Sequence, residues 1–409
     1  MSILFQPVTL NGLTLKNRFM QSATVEGMAT ERGEVTDALI NRCRAVARGG
    51  VGLIVPGALY VHASGRAVIH MTGIHEDALV PGLRNLVDSV HGAGAKIAFQ
   101  LDHAGRQTKR GLIGRVPMAP STGARDPIYF EKPAEMTDAE IHEMIAAFGD
   151  AARRAVQANV DGIQIKASHG YLVNEFLSPF FNKRTDAWGG TEENQFRFLG
   201  EIVAAARREM PEGMPLLVKM NMDDHTPKDG IHPELACRYA KRLSELGLDG
   251  IEVSCGTYLY SGMHICRGEV PVSDYLRGMP WWARPIARGV LQSWVGKYPM
   301  QEAYNLAGAR LLRQEVPQMP LLLVGGMRSL SGMEKIVDEG DAAIISMSRP
   351  FVRQPDLVNQ FANGKATAST CSSCNRCNAA YTLDVPLRCF SEAKIVQRNG
   401  GRSETRTIP

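Results

Sequence analysis

Short apolar runs alternate with longer amphipathic segments along most of the chain. A short apolar run between turn residues is typical of a buried strand, and a longer segment with apolar residues at helical spacing is typical of a helix that covers a sheet. The pattern predicts strands at residues 16–24, 51–59, 96–106, 163–165, 214–222, 249–256, 319–326 and 341–348. It predicts helices at residues 36–48, 79–93, 136–158, 192–210, 233–246, 301–316, 330–339 and 355–364.

This alternation predicts an α/β fold with parallel strands and right-handed crossovers. Eight repeats favour a closed (β/α)8 TIM barrel. The alternative, an open doubly wound sheet, more often has a glycine-rich turn after its first strand, and residues 22–27 contain none. The segments 107–137 and 257–298 interrupt the pattern, and we expect them to be loop excursions over the surface.

The chain divides by composition into two parts. Residues 1–365 carry the barrel pattern, and residues 366–409 form a short cysteine-rich extension. The 409 residues are 44% hydrophobic and 22% charged with a net charge of +4, which is typical of a globular protein and too mild to indicate nucleic acid binding. Neither a signal peptide nor an apolar run long enough to span a membrane is evident.

A polar cluster follows the fourth predicted strand. Lys166, Ser168, His169 and Tyr171 fall within six residues. Barrel enzymes place their chemistry at the carboxyl ends of the strands, and a cation, an imidazole and a phenol are costly to bury without a use. We interpret the cluster as catalytic, the alternative being a loop whose polar groups satisfy one another.

A second motif ends the seventh and eighth predicted strands. Gly325 and Gly326 end the seventh strand, and Ser348 and Arg349 end the eighth. In barrels the loops after these strands commonly bind a phosphate through backbone N–H groups, and an arginine can pair with it. The alternative is a tight turn beside a surface arginine.

The eight cysteines form two groups. Cys43, Cys237, Cys255 and Cys266 are scattered, whereas the other four have the spacing C-x2-C-x2-C-x11-C, namely Cys371, Cys374, Cys377 and Cys389. Three thiols at this spacing with one distant thiol favour a 4Fe-4S cluster over zinc, which more often uses two pairs. We expect Asn375 and Arg376 to donate to its sulfurs. Reduced thiols predict a cytoplasmic protein.

The chain resembles the old yellow enzyme family of flavin-dependent oxidoreductases. The resemblance covers the barrel and rests on the motifs LKNRFMQSAT, FQLDHAGRQ, HGYLVNEFLSP, NKRTDAWGG, LVGGMR and SMSRPF. The tail CSSCNRC is similar to the branch that contains 2,4-dienoyl-CoA reductase and trimethylamine dehydrogenase. The resemblance implies FMN in the barrel, hydride transfer at flavin N5 and an unsaturated carbonyl substrate.

The resemblance also implies the residues that contact FMN. These are Ser22, Ala23, Thr24, Ala58, Gln100, Lys219, Gly325, Gly326, Ser348 and Arg349. Lys219 stands where the family has an arginine beside flavin N1 and O2, and a cation there stabilises the charge of the reduced ring.

For catalysis the resemblance implies that Tyr171 donates a proton and that His169 binds the substrate oxygen. Two residues depart from the family. Lys166 replaces the first histidine of the substrate-binding pair, and Val25 replaces a residue that tunes the flavin potential. Lys166 is either a catalytic partner of His169 or a bystander. His264, in the second excursion, is a further catalytic candidate.

The predicted activity is reduction of the C=C bond of an enone, enoyl or dienoyl compound. One alternative is oxidative amine demethylation, against which stand Lys166 and the lack of an evident aromatic cage around it. Another is a non-catalytic subunit that relays electrons. No GxGxxG motif is present. Three alternatives follow: NAD(P)H docks directly over the flavin, a separate protein supplies electrons, or the cluster is structural. The sequence is compatible with a homo-oligomer.

Overall fold

The computed structural model describes residues 2–393. Eight parallel strands form a sheet that closes on itself: β1 Phe19–Gln21, β2 Leu53–Ile54, β3 Lys96–Asp102, β4 Gly162–Ala167, β5 Leu216–Asn221, β6 Gly250–Ser254, β7 Leu321–Val324 and β8 Ile344–Met347. Each strand pairs with the next along the chain, and β8 pairs with β1 with Ile345 opposite Phe19. The predicted (β/α)8 barrel is confirmed.

Helices follow the strands and cover the outside of the barrel. They are α1 Asp37–Arg48, α2 Val80–His91, α3 Asp138–Gln157, α4 Glu192–Glu209, α5 Pro233–Glu245, α6 Leu306–Glu315, α7 Leu330–Asp338 and α8 Leu357–Ala362. Helix α3 begins at a capping box, in which Thr137 Oγ1 accepts from the Glu140 N–H and Glu140 Oε2 accepts from the Thr137 N–H. This pairing satisfies two backbone donors at the helix start.

The barrel interior is apolar at its amino end. A hairpin of strands Val8–Leu10 and Leu13–Leu15 packs there against inward residues of the sheet such as Met20, Ala98 and Leu217. Because side chains alternate along a strand, the next inward positions lie one layer further toward the carboxyl end. The hairpin thus closes one end of the barrel and leaves the other end for the site.

Three predicted segments differ from the structure. The predicted strand 51–59 is split into β2 and a separate strand Leu59–Tyr60, because Pro56 between them has no N–H to donate to a sheet. The first excursion contains helix Arg110–Ile113 and the paired strands Met118–Ala119 and Ala134–Glu135. The second contains three helices, Tyr258–Ile265, Val272–Arg277 and Arg284–Trp294, so it is a helical cap rather than a loop.

The cysteine-rich extension packs on this cap. Its helix Arg376–Tyr381 is joined to helix Val272–Arg277 by an ion pair between Arg376 Nε and Asp274 Oδ2 at 2.9 Å. Asn378 Nδ2 also donates to the Tyr275 hydroxyl at 3.0 Å. A division of the chain at residue 366 remains our proposal, and residues 394–409 of the extension lie outside the described residues. Within residues 2–393, no helix combines the length and apolar character needed to cross a membrane.

Candidate active site

Period-two alternation brings polar side chains of five strands together inside the barrel. Gln100 Nε2 donates to Gln164 Oε1 at 2.6 Å, and Gln164 Nε2 donates to Glu252 Oε2 at 3.0 Å. Glu252 Oε1 accepts from Ser22 Oγ at 2.7 Å and faces Lys219 Nζ at 3.4 Å. Lys219 Nζ also donates to Ser22 Oγ at 2.8 Å. The buried Lys219 charge is therefore balanced by Glu252 and held at a defined position.

One cavity lies above this network. Its solvent-accessible volume is about 150 Å³. The predicted cofactor residues all line it, namely Ser22, Ala23, Thr24, Ala58, Gln100, Lys219, Gly325, Gly326, Ser348 and Arg349. Lys166, His169 and Tyr171 line the same cavity. The fold thus brings residues from both ends of the sequence to one place.

Lys166 is paired with a carboxylate that the sequence analysis did not select. Its Nζ lies 3.2 Å from Asp102 Oδ2 and 3.3 Å from the centroid of the Tyr171 ring. Burial lowers the pKa of Lys166 and raises the pKa of Asp102, and in each case the opposite charge of the partner opposes the shift. Lys166 is buried rather than surface-seeking, and it lies under the tyrosine that was predicted to donate the proton.

His169 is positioned by the backbone and by Ser254. Its φ of 65° lies in the left-handed region, which a non-glycine residue adopts only when its surroundings hold it there. His169 Nε2 lies 2.7 Å from Ser254 Oγ. Burial, with the nearby charges of Lys219 and Lys166, lowers the pKa of His169 well below its ordinary value. The imidazole is therefore neutral at physiological pH.

Tyrosines from three separate segments surround the catalytic candidates. Tyr171 packs edge-on to Tyr258 with ring centroids 6.2 Å apart, and Tyr258 stacks on Tyr381 at 6.4 Å. All three line the cavity. The sequence showed no evident aromatic cage near Lys166, but the structure brings Tyr258 from the cap and Tyr381 from the extension to the cavity that Lys166 lines.

His264 does not line this cavity. Its ring centroid lies 3.8 Å from that of His225 and 5.0 Å from that of Tyr298. Burial lowers the pKa of His264 to about 4, and its Nδ1 is buried without a hydrogen-bond partner among the described residues. The structure thus places this catalytic candidate in the cap, against His225 of the loop after β5, and outside the lining of the cavity that holds Lys166, His169 and Tyr171.

The ends of β7 and β8 form the predicted phosphate region. Gly325 and Gly326 have φ values of 127° and 73°, and a Cβ on Gly326 would come 2.1 Å from the Gln301 carbonyl oxygen, so only glycine fits there. Arg349 lines the cavity, and its Nη1 donates to the Arg267 carbonyl oxygen at 2.8 Å and to Asn375 Oδ1. Arg349 therefore also ties the barrel to the cap and the extension.

The four clustered cysteines line one small cavity of the extension. Cys377 lines the large cavity as well, so the two cavities adjoin. Among the described residues, no three His, Cys, Asp or Glu side chains are arranged as a metal site. The 4Fe-4S cluster stays a prediction, with Cys371, Cys374, Cys377 and Cys389 as its ligands.

The sulfur contacts come from residues other than those expected. Arg328 Nη2 lies 3.7 Å from Cys371 Sγ, and Arg353 Nη1 lies 3.8 Å from Cys389 Sγ. Asn375 and Arg376, which were expected to donate to the sulfurs, bond instead to the cap: Asn375 Nδ2 donates to the Cys266 carbonyl oxygen, and Arg376 to Asp274. Arginines beside the thiols suit the negative charge of a thiolate-bound group.

Sequence reasoning missed further residues of the site. Asp102, Gln164 and Glu252 could have been found by the period of the strands, because each lies two residues from another residue of the site on the same strand. Tyr258 and Tyr381 follow no such period, since they reach the cavity from the cap and the extension.

The chain is similar to known proteins in sequence and in fold. The sequence profile of the NADH:flavin oxidoreductase / NADH oxidase family matches residues 3–272. A 4,4'-dithiodibutanoate disulfide reductase of Rhodococcus erythropolis is 33% identical over 401 residues, which are 98% of this chain and 97% of that protein. A metal reductase of Desulforamulus reducens is 34% identical over 364 residues, 89% of this chain and 49% of that protein.

Among solved structures, a complex of 2-naphthoyl-CoA reductase with 2-naphthoyl-CoA superimposes with a TM-score of 0.82 at 26% identity. The match covers 96% of this chain and 57% of that protein. The chain thus spans about half the length of two of these relatives and nearly the whole length of the disulfide reductase.

Proposed function

Because the chain belongs to the NADH:flavin oxidoreductase / NADH oxidase family, we propose that it is an FMN-dependent reductase of the C=C bond of α,β-unsaturated carbonyl compounds. One observation carries this proposal: Lys166, His169 and Tyr171 line the same cavity as the residues predicted to hold the flavin. A site for the substrate oxygen and a proton donor therefore adjoin the place from which hydride would come.

The cavity fits FMN in the chemistry of its walls. Gly325, Gly326 and Arg349 would hold the phosphate, while Gln100 and Lys219 would face the polar edge of the ring. Ser346 Oγ, in the wall of the cavity, is buried without a partner among the described residues, which is consistent with a polar ligand. Bound FMN would supply hydride to the substrate after reduction by a nicotinamide nucleotide or another donor.

His169 would bind the substrate carbonyl oxygen. A neutral imidazole has one N–H, so when Ser254 Oγ donates to His169 Nε2, the proton resides on Nδ1 and can be donated to the substrate. Lys166 would add positive charge nearby, with Asp102 keeping it in place. Donors aimed at the oxygen typically stabilise the transition state by about 3–4 kcal/mol each.

Tyr171 would protonate the α-carbon. Burial raises the pKa of Tyr171 well above its ordinary value of 10, so the phenol holds its proton at neutral pH until the substrate becomes basic. The T-shaped contact with Tyr258 limits the directions in which the ring can turn.

The extension would hold a 4Fe-4S cluster beside the flavin. The support is that four cysteines line one cavity and that Cys377 is shared with the larger one. A cluster at this position could pass single electrons to bound FMN from a donor protein. The cluster, the cytoplasmic location and the nicotinamide partner are parts of this proposal.

A second candidate substrate is a disulfide. The observation behind it is the end-to-end similarity, extension included, to the disulfide reductase of Rhodococcus erythropolis.

Two further alternatives, amine demethylation and electron relay, are less well supported. Tyr171, Tyr258 and Tyr381 supply the aromatic surface that an amine would need, but the Lys166 charge beneath Tyr171 opposes a cationic substrate. A purely electron-relaying subunit would not need a buried proton donor.

One experiment separates these functions. The purified protein would be reduced anaerobically with NADH, NADPH or dithionite and mixed with an enone or a disulfide while flavin absorbance is followed. In a parallel arm the oxidised protein would be mixed anaerobically with a tertiary amine. We expect reoxidation by the enone in a stoichiometric reaction. Reoxidation by the disulfide alone would select the second candidate, flavin reduction by the amine would select demethylation, and no reaction with any of them would contradict a catalytic role.

A further inference from the structure

Tyr171 needs a source of protons that can reach a buried phenol. Its side chain is only 2% exposed. If Tyr171 protonates the substrate, as the proposed function requires, each turnover leaves a phenolate there, and a buried phenolate is costly in free energy. A neighbouring group must therefore return the proton before the next turnover.

Two charged or polar neighbours are poorly placed to do so. Lys166 Nζ lies 3.3 Å from the centroid of the Tyr171 ring, under its face rather than at its oxygen, and is paired with Asp102. His169 Nε2 is occupied by Ser254 Oγ, and its Nδ1–H is the group assigned above to the substrate oxygen. Neither residue is therefore left to return a proton to the Tyr171 hydroxyl.

The Tyr381 hydroxyl has the properties required. It is buried and makes no hydrogen bond of good distance and angle among the described residues. The phenols of Tyr171 and Tyr129 are near enough to interact with it. Tyr129 belongs to the first excursion, whose neighbouring residues Pro127 and Ile128 are exposed.

We propose that Tyr381, carried by the cysteine-rich extension, returns the proton to Tyr171 and is itself reprotonated from solvent by way of Tyr129. When the Tyr171 O–H bond breaks, its proton forms the new C–H bond with the electron pair of the substrate carbanion. The Tyr381 proton then moves to the Tyr171 oxygen, and a solvent proton replaces it. No electron is gained or lost in the relay.

This inference rests on the proposed function and makes Tyr381 a positioning and relay residue rather than the primary donor. It also links the extension to catalysis. Tyr381 ends the helix Arg376–Tyr381, which begins directly before Cys377, so one short helix carries both a predicted cluster ligand and a relay hydroxyl.

The test compares single and multiple turnovers of the flavin-loaded, full-length Tyr381→Phe variant. In a single turnover, reduced enzyme with Tyr171 already protonated should be reoxidised by enone within about threefold of the wild-type rate. In steady state the rate should fall by about tenfold or more, since reprotonation becomes limiting. The solvent deuterium isotope effect on the steady-state rate should rise. An added small acid such as imidazole should restore part of the lost steady-state rate.

Tyr275→Phe is the matched control. Tyr275 accepts a hydrogen bond from Asn378 at the same junction between cap and extension but does not line the cavity. It should keep both rates, which separates loss of the relay from loosening of the extension.

Three outcomes would overturn a claim. A wild-type steady-state rate in Tyr381→Phe would refute the relay. If the single-turnover rate of Tyr381→Phe falls as much as its steady-state rate, Tyr381 only shapes the cavity, and the relay is also refuted. If Tyr171→Phe is reoxidised by enone at the wild-type rate, the proton donor of the proposed function is wrong, whatever Tyr381 does.

Discussion

At the scale of single residues, the buried Lys166–Asp102 pair is the part of the site whose role most needs a test. Lys166 is 5% exposed and Asp102 is 1% exposed, and Asp102 Oδ1 has no partner among the described residues. Removing one member of a buried ion pair leaves an uncompensated charge, which commonly costs about 3–5 kcal/mol. A stability effect and a catalytic effect of Lys166 must therefore be separated.

We expect Lys166→Met to lower both the melting temperature and the rate of flavin reoxidation by enone. The double variant Lys166→Met with Asp102→Asn removes both charges and should recover most of the stability. If Lys166 stabilises the substrate oxygen, the double variant should remain slower than wild type by about 100-fold. Full recovery of turnover in the double variant would identify Lys166 as a bystander. Thermal unfolding and stopped-flow reoxidation provide the two readouts.

Glu26 predicts a pH dependence of stability. It is buried, its Oε2 accepts from the Gly57 N–H at 2.8 Å, and burial raises its pKa to about 7 from 4.5. Because the folded state holds this proton more tightly than the unfolded state, its contribution is greatest below pH 4.5 and is lost as the pH rises toward 7. The expected loss is roughly 3 kcal/mol of unfolding free energy.

The measurement is urea unfolding of wild type and Glu26→Gln across this pH range. The difference in unfolding free energy between the two should change with pH in favour of Glu26→Gln as the pH rises. Glu31→Gln, at an exposed glutamate five residues away, is the control. A constant difference between Glu26→Gln and wild type would show that Glu26 titrates alike in the folded and unfolded chain.

At the scale of elements, the candidate site depends most on the contacts that join the barrel to the cap and to the extension. The short helix Arg349–Arg353 follows β8, and both of its terminal arginines line the cysteine cavity. Arg349 lines the large cavity and bonds to the cap and the extension, whereas Arg353 lines only the cysteine cavity of these two and pairs with Glu392. The two arginines therefore offer a matched comparison on one helix.

Arg349→Ala should lower FMN affinity by about 10- to 100-fold, the effect of losing one charge-assisted contact to the phosphate. Arg353→Ala should retain FMN. Fluorescence titration of the flavin-free protein with FMN gives both affinities. Equal losses in the two variants would attribute the effect to a displaced extension, and FMN retention by Arg349→Ala would place the phosphate elsewhere.

At the scale of the whole molecule, the barrel, the cap and the extension share one pair of adjoining cavities. If Cys371, Cys374, Cys377 and Cys389 hold a cluster, the protein should contain about four iron atoms per chain, together with FMN released by acid. Cys371→Ser should lose the iron, and Cys43→Ser, a buried cysteine of α1 in the barrel core, should keep it. Zinc in place of iron would contradict the cluster, and FAD would contradict the predicted flavin.

The sequence alone determined the barrel and most of the candidate site. The spacing of apolar residues in strands and helices is a local property, so it can be read directly from the sequence. The eightfold alternation of strands and helices is then compatible with few architectures that bury all the strands. The residues at the strand ends then share one face by topology, which is why Lys166, Lys219 and Arg349 were predicted and found at one cavity. The resemblance to the old yellow enzyme family is confirmed by the family match.

Only the tertiary structure decided what covers that face. The cap and the extension follow no strand period, so nothing local indicates that Tyr258 and Tyr381 reach the cavity, or that His264 turns to His225 instead. The partner of Lys166 lies 64 positions away on another strand, and its identity depends on the register between β3 and β4. Contacts of this kind are set by packing between segments distant in sequence, and so they become visible only when the chain is folded.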